Sequence, residues 1–203
     1  MNLLQPGRLT TKTEVGPPSH CCWETFQLFA DAECDELLAA LSKVPSAPDG
    51  AYTALRPIRS VGIPVEPFRT LYERVWVRMA EENAKTWRYE LDGWLSLALL
   101  RYAVGAEFAV HTDLGDPRPR DRHLKLAMSC LLSEPADYRG GELVLTTGIH
   151  LGGGAVGGPE FIVPLHRRGT AVVFPSFIVH AVTPVISGER VVLVGRAGGP
   201  AFA

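Results

Sequence analysis

Apolar residues recur along this chain with two periods, and the change from one to the other falls near Trp87. Before it the period is helical. Cys34, Leu37, Leu38 and Leu41 stand at i, i+3, i+4 and i+7, which puts them on one face of a helix. Asp31 is the expected N-cap, with Glu33, Asp35 and Glu36 in the first turn, where the helix dipole favours anions. The helix is expected to end before Pro45. Residues 45–65 are turn-rich, with Pro45, Pro48, Asp49-Gly50, Pro57 and Pro64, and their arginines, Arg56 and Arg59, read as solvated loop residues. Pro67 is expected to open a second helix at its first-turn position. Phe68, Leu71, Tyr72, Val75, Trp76, Met79 and Asn83 share one face of it, an aromatic stripe that reads as core packed on a sheet.

After Trp87 the apolar runs become short, β-branched and punctuated by Gly or Pro. Eight strands are predicted, over 95–103, 107–111, 124–132, 142–146, 161–165, 170–174, 178–183 and 190–196. Helices followed by strands argue for the α+β class. A double-stranded β-helix, a jelly-roll or cupin-like barrel, is the eight-strand solution that limits exposed edges. We therefore expect a single domain over 1–203. It divides into a loose leader at 1–20, helical support at 23–94 and a jelly-roll core at 95–196, with the N-terminal helices as buttress.

Composition narrows the class. Hydrophobic residues make up 46% of the chain, charged residues 21%, and the net charge is −2, which suits a soluble globular protein and not a nucleic-acid binder. No apolar run approaches the length of a bilayer span, and residues 1–20 lack a signal-peptide core, so a cytoplasmic protein without a membrane partner is expected. The four cysteines form no C-x-x-C pair and read as free thiols.

The chemistry concentrates in and beside the predicted barrel. The segment from Arg101 to Asp113 reads as strand, glycine turn, strand, and ends in His111-Thr112-Asp113. Alternate residues of a strand share a face, so His111 and Asp113 can aim an imidazole and a carboxylate at one point. With a second histidine they make the two-histidine, one-carboxylate set suited to non-haem Fe(II). Alone, His-x-Asp is a weak signal. The later histidines are His123, His150, His166 and His180. His180 stands amid apolar residues, where an unligated polar group is costly, whereas His166 precedes two arginines and His150 borders a glycine loop. Ten residues on, Arg190 opens the last strand, where a guanidinium facing into a narrow barrel is suited to bidentate binding of a carboxylate, and the Tyr102 phenol can add a hydrogen bond to it.

These residues in their contexts resemble the 2-oxoglutarate- and Fe(II)-dependent dioxygenases of the prolyl 4-hydroxylase-like branch. Arg101-Tyr102-x-x-Gly105 before the His-x-Asp carries the resemblance. So does Leu131-Leu132-Ser133-Glu134-Pro135-x-Asp137-Tyr138-Arg139-Gly140-Gly141-Glu142-Leu143, and so does Phe174-Pro175-Ser176 leading through His180 and Pro184 to Gly188-x-Arg190. It covers about residues 80–196. It implies Fe(II) held by His111, Asp113 and His180, and 2-oxoglutarate held at its distal carboxylate by Arg190 with help from Tyr102. It also implies O2 as oxidant, with ascorbate as an added reductant, and hydroxylation of an unactivated C–H with release of succinate and CO2. The carboxylate of Asp113 favours hydroxylation over the halogenation of relatives that lack it. Arg118, Arg120 and Arg122, just after the His-x-Asp, are tentative substrate contacts, and the glycine-rich stretch 147–159 is a candidate lid. Ser129 and Cys130 are expected on an inward strand near the co-substrate.

The resemblance leaves the substrate open. An amino acid or small natural-product intermediate comes first. A polypeptide side chain is the alternative, and a non-catalytic cupin-type metal-binding module is a third reading. A nucleic-acid demethylase fits less well: Arg196 follows Arg190 at the spacing of that branch, but Val192 and Val194 stand where polar residues would be expected. The sequence does not give the oligomeric state.

Overall fold

The computed structural model describes residues 22–45, 58–115, 122–146, 149–151, 155–157 and 160–201. The expected leader at 1–20, Arg56, Arg118 and Arg120 lie outside the described residues.

The chain begins with β1 (Glu24–Gln27), α1 (Asp31–Leu41), β2 (Ile58–Gly62) and α2 (Arg69–Lys85). The long strands β3 (Leu95–Tyr102), β4 (Phe108–His111) and β5 (Arg122–Leu131) follow, then β6 (Tyr138–Gly140) and β7 (Leu143–Thr146). The stretch 147–159 carries a small hairpin, β8 (Ile149–Leu151) with β9 (Ala155–Gly157). The barrel is completed by β10 (Glu160–Ile162), β11 (Thr170–Pro175), β12 (Val179–Val182), β13 (Val185–Gly188) and β14 (Arg190–Pro200).

Two antiparallel sheets face each other. One has the order β1-β11-β5-β14-β3-β2, the other β10-β7-β12-β4, and a two-stranded ribbon, β13-β6, stands beside them. This is the double-stranded β-helix expected from the strand pattern. The larger sheet is buried on both faces, and period-2 alternation sorts its residues. Leu97, Leu99, Leu126, Met128, Cys130, Ala171, Val173, Val191 and Leu193 point outward to a core shared with α1 and α2. Leu100, Tyr102, Ala127, Leu131, Val172, Phe174 and Val192 point inward against Leu143, Leu145 and Val182 of the smaller sheet. The helices close the outer face: Val75 and Met79 of α2 are fully buried there, with Leu71, Tyr72 and Trp76 packed around them.

Several local expectations need correction. Helix α1 begins at Asp31, so Asp31 lies in its first turn, and Ala30 is the N-cap residue. The Ala30 N–H donates to Glu33 Oε2 (2.7 Å), so the carboxylate three residues on reaches back to the cap backbone while no side chain caps the helix from Ala30. Pro67 lies in a turn, and α2 starts at Arg69 behind the cap residue Phe68. The turn-rich stretch 45–65 contains β2, which pairs with β3 from Ile58↔Tyr102 to Gly62↔Ala98, and Arg59 on it is exposed. Strand β1 was not anticipated either; it extends the large sheet beside β11. Both are edge strands whose pairing comes from distant chain, which local periodicity does not record. Cys130 faces the helices, away from the barrel interior, while its neighbour Ser129 faces inward. Cys22, Cys34 and Cys130 are buried thiols that form no disulfide among the described residues. Among the described residues no helix is long and apolar enough to cross a membrane.

Candidate metal and co-substrate site

The smaller sheet brings the two distant histidines together. Strand β12 pairs antiparallel with β4, and His180 and His111 are direct cross-strand partners. Their ring centroids are 4.1 Å apart. Asp113 follows in a short 3₁₀ turn after β4. Its N–H donates to the carbonyl of Ser176 (2.9 Å), and Ser176, fully buried, anchors itself through its N–H to Lys125 O (3.0 Å) and its hydroxyl to Leu124 O (2.6 Å). That chain of bonds ties the Asp113 turn to the start of β5.

One ligand atom from each of His111, Asp113 and His180 lies within 4.8 Å of the other two; among the described residues this is the group of His, Cys, Asp or Glu side chains placed to hold a metal ion. Both imidazoles are oriented the same way. Nδ1 of His111 is 2.8 Å from the carbonyl of Ala109, and Nδ1 of His180 is 2.9 Å from that of Ile178. A carbonyl only accepts, so each Nδ1 carries the proton and each Nε2 keeps its lone pair for the shared point. Burial, and then the proximity of His180, lower the pKa of His111 to about 4. Burial also lowers that of His180. Both rings are therefore neutral near pH 7. Two lone pairs and a carboxylate aimed at one point repel one another unless a cation lies between them, so the donor set fits a divalent metal. Phe108 stacks on His111 at 4.3 Å, and Phe174 meets His180 edge-on at 4.9 Å, so the rings are also wedged by packing.

A cavity of about 460 Å³, counting the space open at its mouth, runs from these three residues into the barrel and reaches Arg190. Arg190 is only 2% exposed, and its Nη1 has no hydrogen-bond partner among the described residues. A buried guanidinium nitrogen without a partner is costly. It is the donor a carboxylate from a bound small molecule would satisfy. Tyr102, its register partner on β3, places its ring 5.4 Å from the guanidinium carbon, and burial raises the phenol's pKa. Gly141 explains the paired glycines of the sequence motif. Its φ is +65°, and a Cβ there would stand 2.8 Å from Arg190 Cδ, so the guanidinium stem passes through the space a side chain would fill.

The structure thus brings together His111, Asp113, His180, Arg190 and Tyr102. Arg122 opens β5, but its side chain, like Arg118 and Arg120, lies outside the described residues. His166 and His123 are exposed and away from the cluster. Arg196 is the residue that sequence reasoning underused. Its Nε is 3.1 Å from Asp113 Oδ1, and it lines the same cavity. The available signal was parity: Arg190, Val192, Val194 and Arg196 alternate onto one face of β14.

A barrel of this topology with two imidazoles and a carboxylate at one end of its cavity defines the class of double-stranded β-helix proteins with a mononuclear metal site. Comparison with known proteins narrows the class. Residues 97–195, just under half of this chain, match the model of the 2OG-Fe(II) oxygenase superfamily. A PKHD-type hydroxylase of Synechococcus sp. (strain CC9605) is 36% identical over 100 residues, 49% of this chain and 40% of that relative. The PKHD-type hydroxylase of Sphingopyxis alaskensis is 36% identical over 98 residues, 47% of this chain and 40% of its own. The match to these curated relatives thus spans about two fifths of their length. Among solved structures, a Pseudomonas putida prolyl-4-hydroxylase superposes with a TM-score of 0.61 at 20% identity, covering 90% of this chain and 95% of that one. HygX from Streptomyces hygroscopicus, solved with nickel, 2-oxoglutarate and hygromycin B, superposes with a TM-score of 0.58 at 16% identity, covering 90% and 84%. At these identities the superpositions establish the shared fold.

Proposed function

We propose that this chain is an Fe(II)- and 2-oxoglutarate-dependent hydroxylase in which His111, Asp113 and His180 hold the metal and Arg190 holds the co-substrate. The observation that carries the reading is the pairing, in one cavity, of a three-ligand cluster with a buried guanidinium whose Nη1 lacks a partner among the described residues. With 2-oxoglutarate and O2, the iron would supply the power to hydroxylate an unactivated C–H, releasing succinate and CO2.

The protein's own residues supply binding, orientation and shelter. The neutral imidazoles offer Nε2 without first losing a proton, so they are ready ligands at neutral pH. Arg190 pairs with the distal carboxylate of the 2-oxo acid, and the Tyr102 phenol donates to the same group. Leu100, Phe174 and Val182 wall the cavity with apolar surface, which excludes water and strengthens the charge-assisted bonds inside.

The primary substrate is a small molecule, an amino acid or natural-product intermediate, met in the cytoplasm, with Arg118, Arg120 and Arg122 as candidate contacts. The weak net charge of −2 supports it, since the composition carries no basic footprint for a nucleic-acid substrate. A polypeptide side chain is the second reading, because the P. putida structure is a prolyl-4-hydroxylase and superposes on 90% of this chain. Anaerobic addition of Fe(II) and 2-oxoglutarate should give a visible charge-transfer band. Substrate-dependent succinate release with free amino acids and natural products, set against peptides, then separates the two substrate classes. Turnover with polypeptides alone would overturn the small-molecule reading. Fe(II) binding with neither the band nor 2-oxoglutarate decarboxylation would make the protein a metal-binding module.

A further inference from the structure

The feature that the proposed ligand and co-substrate roles leave unused is the ion pair between Arg196 Nε and Asp113 Oδ1, at 3.1 Å. Both side chains are largely withdrawn from solvent, at 18% and 8% exposure. The two partners differ in how firmly the backbone holds them. Arg196 sits on β14, the strand hydrogen-bonded on both sides in the large sheet, opposite Ser96 on β3 and Ala127 on β5. Asp113 lies past the end of β4 in a 3₁₀ turn, outside either sheet, with its N–H bonded to Ser176. The histidines need no such help: each has its Nδ1 bond, an aromatic neighbour and a strand beneath it. The carboxylate is the ligand whose orientation the local backbone does not fix.

We infer that Arg196 is a positioning residue for the metal carboxylate, its Nε–H holding one oxygen of Asp113 so that the group meets His111 and His180 in a single orientation. The inference rests on the metal-site reading above. Two effects of Arg196 oppose each other. Its charge repels a cation, whereas its hydrogen bond fixes the carboxylate. Loss of partners that orient a metal ligand typically weakens binding 10–100-fold. A guanidinium already neutralised by Asp113 repels a cation less than a free one would, so the orienting bond prevails.

The experiment measures Fe(II) affinity under anaerobic conditions, and the charge-transfer band of the Fe(II)–2-oxoglutarate complex, in the full chain and its variants. Arg196→Met, which keeps the stem and removes the donor, should bind Fe(II) 10–100-fold more weakly and shift the band. Arg196→Lys or Arg196→Gln, which retain an N–H donor, should recover affinity to within a few fold. Unchanged affinity and band in Arg196→Met overturn the inference. So does an equal loss in the Met and Gln variants with an unshifted band, which marks general loosening of the barrel. If Arg196→Met fails to fold, Arg196→Ser, too short to reach Asp113, carries the same test. His180→Ala is measured in parallel: if it keeps wild-type Fe(II) affinity, the metal-site reading itself fails, and if it loses the metal while Arg196→Met does not, the role of Arg196 alone fails.

Discussion

His111 on β4 and His180 on β12 face each other as cross-strand partners, their ring centroids 4.1 Å apart, with each Nδ1 bonded to the carbonyl two residues earlier in its own strand. Strand pairing thus sets two of the three candidate metal ligands against each other. The i−2 carbonyls set the tautomers, and burial keeps the rings uncharged.

The first prediction concerns pH. The metal-free native state holds His111 neutral down to about 4, while an unfolded chain protonates it near 6.5. Between those values the unfolded state binds more protons, so stability falls as the pH drops from about 6.5 to 4. The loss from His111 is on the order of 3 kcal/mol at the acid end of that window. Urea unfolding of the metal-free protein across the range should show this loss, and His111→Asn should flatten it. An unchanged profile in the variant would place the pH dependence elsewhere.

Removing a ligand should be more severe than removing a group that orients one. His180→Ala is expected to weaken Mn(II) or Fe(II) binding beyond the roughly 10–100-fold typical of an orienting partner. Isothermal titration provides the measurement, and a loss below tenfold would argue that His180 is not a ligand.

Arg190 should separate binding from stability. Arg190→Met removes a buried guanidinium whose Nη1 lacks a partner among the described residues and leaves an apolar side chain of similar length. Such replacements are often neutral or stabilising, so thermal unfolding of the metal-free protein should be unchanged or occur at higher temperature. The same variant should lose 2-oxoglutarate binding by about 2–5 kcal/mol while retaining iron. Loss of iron together with the co-substrate would contradict the roles assigned here.

Gly141→Ala should act on Arg190 through space. The added Cβ would come within 2.8 Å of Arg190 Cδ and 3.0 Å of Val185 Cγ2, at a φ of +65°. Strain at such a position costs about 1–3 kcal/mol. Reduced stability and weaker 2-oxoglutarate binding should appear together, with Fe(II) affinity little changed; wild-type co-substrate binding would mean that the stem has room to shift.

The sequence by itself determined the two helical faces, the run of strands with their inward and outward parity, and the residues His111, Asp113, His180 and Arg190 as one set. Those features are written in local periodicity and in short motifs whose backbone needs particular residues, as Gly141 illustrates. Tertiary structure decided what depends on chain far away. The edge strands β1 and β2 exist because β11 and β3 offer them hydrogen bonds. Alternation along β5 separated Ser129 from Cys130, but only the packing of α1 and α2 chose which of the two faces the barrel interior. His180 lies 69 positions beyond His111, so their register was set by the β4–β12 pairing and not by spacing. The bond from Arg196 to Asp113 joins a strand to a turn 83 positions earlier. No periodicity carries such information, because a side chain's partner is fixed by where the sheets close on each other.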